Sequence, residues 1–171
     1  LEARNFKEAR AQFEQAVRAD PKLAGGYLGL GYLELQAGDI NVAVQQFRKA
    51  VELAPQSFQA HYQLAMVFLR QQKYSEGAQE LERAAAIDPR HADALYNLGV
   101  VLLELDRPEE ALSRLRQARE RGSKQPDIAF NLVRAELAAH RPEEARQEAE
   151  SAAKAFGADF AWRSAVGQLF L

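Results

Sequence analysis

Cysteine and threonine are both absent from the 171 residues, and isoleucine occurs only at 40, 87 and 128. Without cysteine there can be no disulfide, thiolate zinc site or cysteine nucleophile, and a chain without thiols tolerates either redox compartment. No apolar run approaches the roughly 20 residues that span a bilayer, so membrane insertion is not expected. Leu1-Glu2-Ala3-Arg4-Asn5 has no signal-peptide character and no initiator Met. Neither sign of charge dominates: 22 Lys and Arg against 24 Asp and Glu give a net charge of -2, which supplies no electrostatic pull towards nucleic acid or an anionic membrane. What is abundant is Ala, Leu, Glu, Gln and Arg, and 47% of the residues are hydrophobic. Few β-branched residues among so many helix formers predict an all-α protein with enough apolar surface for a core.

A period organises this composition. Pro21, Pro55 and Pro89 are 34 residues apart, as are Pro108 and Pro142. The pentapeptide Arg107-Pro108-Glu109-Glu110-Ala111 recurs as Arg141-Pro142-Glu143-Glu144-Ala145. Leu30, Leu64, Leu98 and Leu132 keep the same interval, and a second leucine column runs from Leu1 through Leu35, Leu69, Leu103 and Leu137 to Leu171. Each unit reads as two helices. In the first complete one, Tyr27, Leu30, Gly31 and Glu34 share a face, Glu34 being an exception to its apolar character. Ile40, Ala43, Val44, Phe47, Ala50 and Val51 share a face of the second helix. Gly38 supplies a left-handed stop and Asp39 is placed to cap the next start. Pro108 and Pro142 open helices with two glutamates in the first turn, which suits the helix dipole. Pro55 and Pro89 follow second helices and stop them. The spacing predicts helices over 6–18, 24–37, 40–53, 58–71, 74–87, 92–105, 108–121, 126–139, 142–156 and 159–170.

Small residues recur where two helices must approach: Ala9, Ala43, Gly77, Ala111 and Ala145 early in second helices, and Gly31, Ala65, Gly99, Val133 and Gly167 within first helices. Phe13, Phe47, Leu81 and Leu115 are expected to fill the flanks.

These columns closely resemble the tetratricopeptide repeat family, whose unit is a 34-residue helix-turn-helix. His61, Tyr62, Gln63, Leu64 and Ala65, followed by Tyr74, Gly77, Leu81, Ala84 and Pro89, carry the likeness. So do Leu95, Tyr96, Asn97, Leu98 and Gly99, followed by Pro108, Ala111, Leu115 and Ala118. The resemblance implies an all-α, right-handed α-solenoid of antiparallel helix pairs, with first helices lining the concave side. Residues 1–171 would form a single array: a half repeat at 1–23, repeats at 24–57, 58–91 and 92–125, a degenerate repeat at 126–159, and a half repeat or capping helix at 160–171. The pattern decays towards the C-terminus: the aromatic opening each first helix is Tyr27, then His61, Leu95, Ala129 and Arg163. A fragment cut in mid-array is the expectation.

Nothing in the sequence suggests an enzyme, a cofactor or a metal. His61 occupies the bulky opening position of a first helix, where packing or capping is expected, and His91 and His140 fall in turns where they are expected to be solvated. No histidine pair has metal-ligand spacing. Glu109-Glu110 and Glu143-Glu144 are adjacent on a helix, so they point about 100° apart and form no acid/base dyad. The glycine-rich stretch from Gly25 to Gly31 follows no strand and reads as packing.

A second stripe lies beside the core face of each first helix: Leu28, Tyr32 and Leu35; Tyr62, Met66 and Leu69; Tyr96, Val100 and Leu103; Phe130, Arg134 and Leu137. Packing between successive first helices accounts for the leucines as well as a groove does. The rings exceed what such a contact needs, and an apolar groove with a polar rim suits a protein partner. Gln63, Asn97 and Asn131 stand next to the stripe; they read either as an amide ladder for an extended peptide or as solvated repeat consensus. The leading expectation is therefore a non-enzymatic scaffold that binds a protein segment or helix along one continuous groove of Tyr32, Tyr62, Gln63, Met66, Tyr96, Asn97, Val100, Phe130, Asn131 and Arg134. Two alternatives stay open: a substrate-presenting accessory domain of a larger enzyme such as a glycosyltransferase, and a self-associating scaffold whose open ends, carrying Phe6, Phe13 and Val17 or Trp162, Val166 and Phe170, meet other copies. Family members that clamp acidic tails place lysines in the groove. Leu28, Tyr32, Gln63, Asp93 and Asn97 hold those places here, which argues against such a clamp. The sequence leaves cytoplasmic and periplasmic locations both open.

Overall fold

The computed structural model describes residues 2–123 and 127–156; the expected helix over 159–170 lies outside them. Among the described residues the chain is all helix: α1 (Glu2–Ala19), α2 (Ala24–Ala37), α3 (Ile40–Leu53), α4 (Phe58–Arg70), α5 (Tyr74–Ile87), α6 (Ala92–Glu104), α7 (Pro108–Glu120), α8 (Ile128–Ala138) and α9 (Pro142–Phe156). Each first helix packs against the second helix that follows it: α2 on α3, α4 on α5, α6 on α7 and α8 on α9. The chain divides into two compact units, Leu1–Asp88 and Pro89–Leu171.

In the N-terminal unit, Ala43, Val44, Phe47, Leu64, Val67 and Phe68 form a buried cluster, with Leu28, Leu35, Ile40 and Val51 packed against it. Burying a side chain such as Phe47 stabilises by about 1.5–3 kcal/mol. In the C-terminal unit Leu95, Leu98, Leu102, Leu115, Leu132 and Val133 are fully buried. The small columns do what close approach requires. A Cβ on Gly99 would lie 2.6 Å from Leu115 Cγ and 3.3 Å from the Ala111 carbonyl oxygen, so the close approach of α6 to α7 at this point needs a residue without a side chain. Val17 likewise lies against Gly26, docking α1 on α2.

The helix ends obey the period more strictly than the residue types do. Gly38 has φ 88°, and its N–H reaches the Glu34 and Leu35 carbonyls. At the same repeat position Gln72, Asp106 and His140 also take positive φ, 58°, 54° and 59°. His140 is thus part of a left-handed stop as well as exposed. Asp39 sits at the α3 N-cap without a side-chain cap bond. Ser57 caps α4, accepting from Ala60 N–H at 3.2 Å. His91 caps α6, its Nδ1 accepting from Ala94 N–H at 3.2 Å, a role the sequence does not announce.

A left-handed residue with a Cβ costs about 1 kcal/mol, and glycine returns part of that gain through its freer unfolded chain. Gln72→Gly should therefore raise stability by about 0.5 kcal/mol, and Gly38→Ala should lower it by about 1 kcal/mol. Urea unfolding of both variants checks this. Equal midpoints for Gly38→Ala and the parent protein would contradict the role of the turn.

Candidate functional site: the inner stripe of the first helices

Helical periodicity puts Leu28, Tyr32 and Gln36 on one side of α2, and Gln59, Tyr62, Gln63 and Met66 on one side of α4. In the N-terminal unit the two helices are joined there: the Gln59 Nε2–H donates to the Tyr32 hydroxyl. The Tyr32 ring meets Phe47 edge-on with centroids 5.7 Å apart, yet remains 36% exposed, one of three exposed large apolar side chains among the described residues. Tyr62 stacks on Phe58 at 5.5 Å with 15° between the planes. Tyr62, Gln63 and Met66 are half-buried. Leu28 and Leu35 pack against the core cluster, and Leu69 lies against Gly77. The leucine column of this unit is therefore a packing column, and the rings and amides remain as surface.

In the C-terminal unit Tyr96, Asn97, Val100, Phe130 and Arg134 are half-buried, and Asn131 is buried at 5% exposure. Asn131 does not stand beside a groove as an open amide. Its Nδ2 donates to the Tyr96 hydroxyl at 3.0 Å and to the Asp127 carbonyl at 3.1 Å, and its Oδ1 accepts from Arg134 at 3.1 Å. Arg134 also donates to Glu104 at 3.0 Å. Burial pushes the Tyr96 phenol up, Asp127 adds to the rise, and the Asn131 bond opposes it. Phe130 and Leu137 pack against Val133 and Ala145. The amide column thus divides: one member, Asn131, bolts α6 to α8 because its partners converge on it from both helices. Sequence reasoning missed Gln59, although it stands in one 34-residue column with Asp93 and Asp127, three residues before Tyr62.

On the opposite side of α4 a trough runs between α3 and α5. It holds a cavity of about 540 Å³ at Val51, Pro55, His61, Ala86 and Ile87, and another of about 290 Å³ at Arg48, Leu64, Phe68, Gln79 and Arg83. Several of its polar groups are paired within the unit. His61 Nδ1 lies 2.6 Å from Glu80 Oε2 and its Nε2 lies 3.0 Å from the Pro55 carbonyl oxygen. Arg83 donates to the other Glu80 oxygen at 2.8 Å, and the Arg48 guanidinium lies 5.5 Å from the Phe68 ring centroid.

Two buried carboxylates interrupt the apolar face of the first helices. Glu34 accepts from Arg10 at 2.6 Å, and that bond, ahead of burial, which opposes it, raises the Arg10 value. Glu136, 3% exposed, accepts from Arg116 at 3.0 Å, while its Oε2 has no partner among the described residues. Burial raises the Glu136 value, the Arg116 bond opposes the rise, and Glu148 adds to it. A carboxyl raised on folding stabilises the fold below its unfolded value, and that contribution is lost as pH rises through the folded value. Glu136→Gln should therefore gain on the parent protein between about pH 4.5 and about pH 7.5. Urea unfolding at both values is the check; a constant difference would contradict the assignment.

Among the described residues no cluster of three or more His, Cys, Asp or Glu could hold a metal ion, and no helix is long and apolar enough to cross a membrane. Two tetratricopeptide repeat family models match the chain, one over residues 1–58 and 62–126 and the other over 102–169. The chain belongs to the tetratricopeptide repeat family, a class of helical-repeat scaffolds for protein interaction. Solved structures share its fold. YrrB, described as a tetratricopeptide repeat protein with an unusual peptide-binding site, is 22% identical, with 92% of this chain and 81% of that one covered and a TM-score of 0.81. The MamA protein is 22% identical, with 90% and 84% covered and a TM-score of 0.79. A tetratricopeptide repeat protein from Parabacteroides merdae is 14% identical, with 99% and 67% covered and a TM-score of 0.82. The search of curated proteins gave no match.

Proposed function

We propose that the protein is an interaction scaffold that takes a segment of a partner protein on the inner stripe of its first helices. In the N-terminal unit that surface comprises Tyr32, Tyr62, Gln63 and Met66; in the C-terminal unit it comprises Tyr96, Asn97, Val100 and Phe130, with Asn131 and Arg134 holding the wall behind them. The observation that carries this reading is Tyr32. Its hydroxyl is satisfied by Gln59, so the exposed ring needs no polar partner and offers apolar area to whatever covers it. The outer trough is the weaker candidate because its His61, Glu80 and Arg83 are already committed to one another. The peptide-binding site described for YrrB agrees with this reading.

The absence of cysteine allows a direct test, since any introduced thiol is unique. Peptides of about 12 residues are selected from a random phage-displayed library on the intact chain. A dye on Gln36→Cys, on the inner side of α2, should then be shielded from iodide quenching when a selected peptide binds. A dye on Gln79→Cys, on the outer trough, should not. Shielding of the outer dye alone would overturn the proposal.

A further inference from the structure

We infer that the inner surface of the N-terminal unit selects an uncharged, apolar peptide segment, and that Gln63 is the residue that fixes its polarity. This rests on the reading that the inner stripe is the binding face.

Both the charge of this surface and its unused hydrogen-bonding groups favour such a segment. From Leu28 to Met66 the exposed and half-buried side chains of this surface are Leu28, Tyr32, Gln36, Gln59, Tyr62, Gln63 and Met66, none of them charged. The next cation along α4, Arg70, lies about 6 Å of helix rise beyond Met66, in the last turn where a cation suits the helix dipole. A charged partner side chain laid against Tyr32 and Met66 would lose its water and meet no opposite charge, a loss nothing repays. The polar groups divide in the same sense. Gln59 and the Tyr32 hydroxyl are held by each other. The side-chain amide of Gln63, half-buried beside Tyr62 and Met66, makes no hydrogen bond to any described residue. Its amide donates and accepts at once, which matches one peptide group of an extended segment and no single charge. Of its two counterparts in the C-terminal unit, Asn97 and Asn131, the latter is already engaged with Tyr96, Asp127 and Arg134.

The test uses the intact chain and the same random peptide library. Selection should enrich peptides with aliphatic and aromatic residues and few Asp, Glu, Lys or Arg. Their affinity should change by less than about twofold between about 50 and about 500 mM NaCl. Gln63→Arg should turn the selection towards acidic peptides and bring salt dependence; Gln63→Glu should turn it towards basic ones. Both sit on the surface, and a helical circular dichroism spectrum with an unchanged melting midpoint shows that they are folded. Charged peptides enriched on the parent protein, and weakened by Tyr32→Ala with Tyr62→Ala, would overturn this inference and leave the inner face as the binding face. Selected peptides indifferent to that tyrosine pair, or no enrichment at all, would overturn both. An enriched class unchanged by either Gln63 substitution would overturn the role of Gln63.

Discussion

His61→Ala should cost about 3 kcal/mol, a fall in melting midpoint of roughly 6–12 °C for a chain of this size. Three losses coincide. The 3%-exposed ring leaves a cavity. The Pro55 carbonyl loses its 3.0 Å partner at the end of the α3–α4 turn. Glu80, 8% exposed, loses the closer of its two partners and keeps only Arg83 from the solvent side. The double change His61→Leu with Glu80→Met removes the stranded carboxylate and restores volume, as Leu95 does in the corresponding place. It should therefore recover more than half of the loss. A thermal denaturation series across the parent, His61→Leu, Glu80→Met and the double variant, with His61→Ala alongside, decides it. Additive losses in the double variant would mean that the pair does not act as a unit.

Tyr32→Ala with Tyr62→Ala should weaken a selected peptide by more than about a hundredfold, since two aromatic anchors at about 2 kcal/mol each correspond to that loss if they add. Stability should fall less than for Leu98→Ala, which empties a fully buried position at a cost of about 2–5 kcal/mol. Glu109→Lys on α7 serves as the control, because Glu109 is exposed and, among the described residues, pairs with Arg141, just before α9. Calorimetric titration measures the affinities. A peptide lost on Glu109→Lys and kept by the tyrosine pair would place the contact on the outer face.

The repeat made much of the fold legible. Columns of proline, leucine and alanine at 34-residue spacing located helices α2, α3, α5 and α9 at their observed bounds, and most others within one or two residues. Pro108 and Pro142 begin α7 and α9 because a first-turn residue needs no donated bond. What the sequence did not show depends on partners 20 or more residues away. Glu34 reads as an exception to an apolar face until Arg10 arrives from α1. Asn131 reads as one rung of an amide column until Tyr96, on α6, takes its amide nitrogen. The left-handed stops at Gln72, Asp106 and His140 are hidden because the backbone keeps the geometry of Gly38 where the residue type changes. The stripe of rings was legible from spacing alone, but its division into packing leucines and surface rings required the contacts themselves.

The central claim is that a partner segment lies on the inner stripe of the first helices. Amide chemical-shift mapping of the intact protein during titration with a library-selected peptide tests it most directly. The account predicts the largest changes at Tyr32 and Gln36 on α2 and at Gln59, Tyr62, Gln63 and Met66 on α4, with Arg48, Gln79 and Arg83 unmoved. Changes concentrated at Arg48, Gln79 and Arg83, with α2 and the inner side of α4 silent, would contradict it.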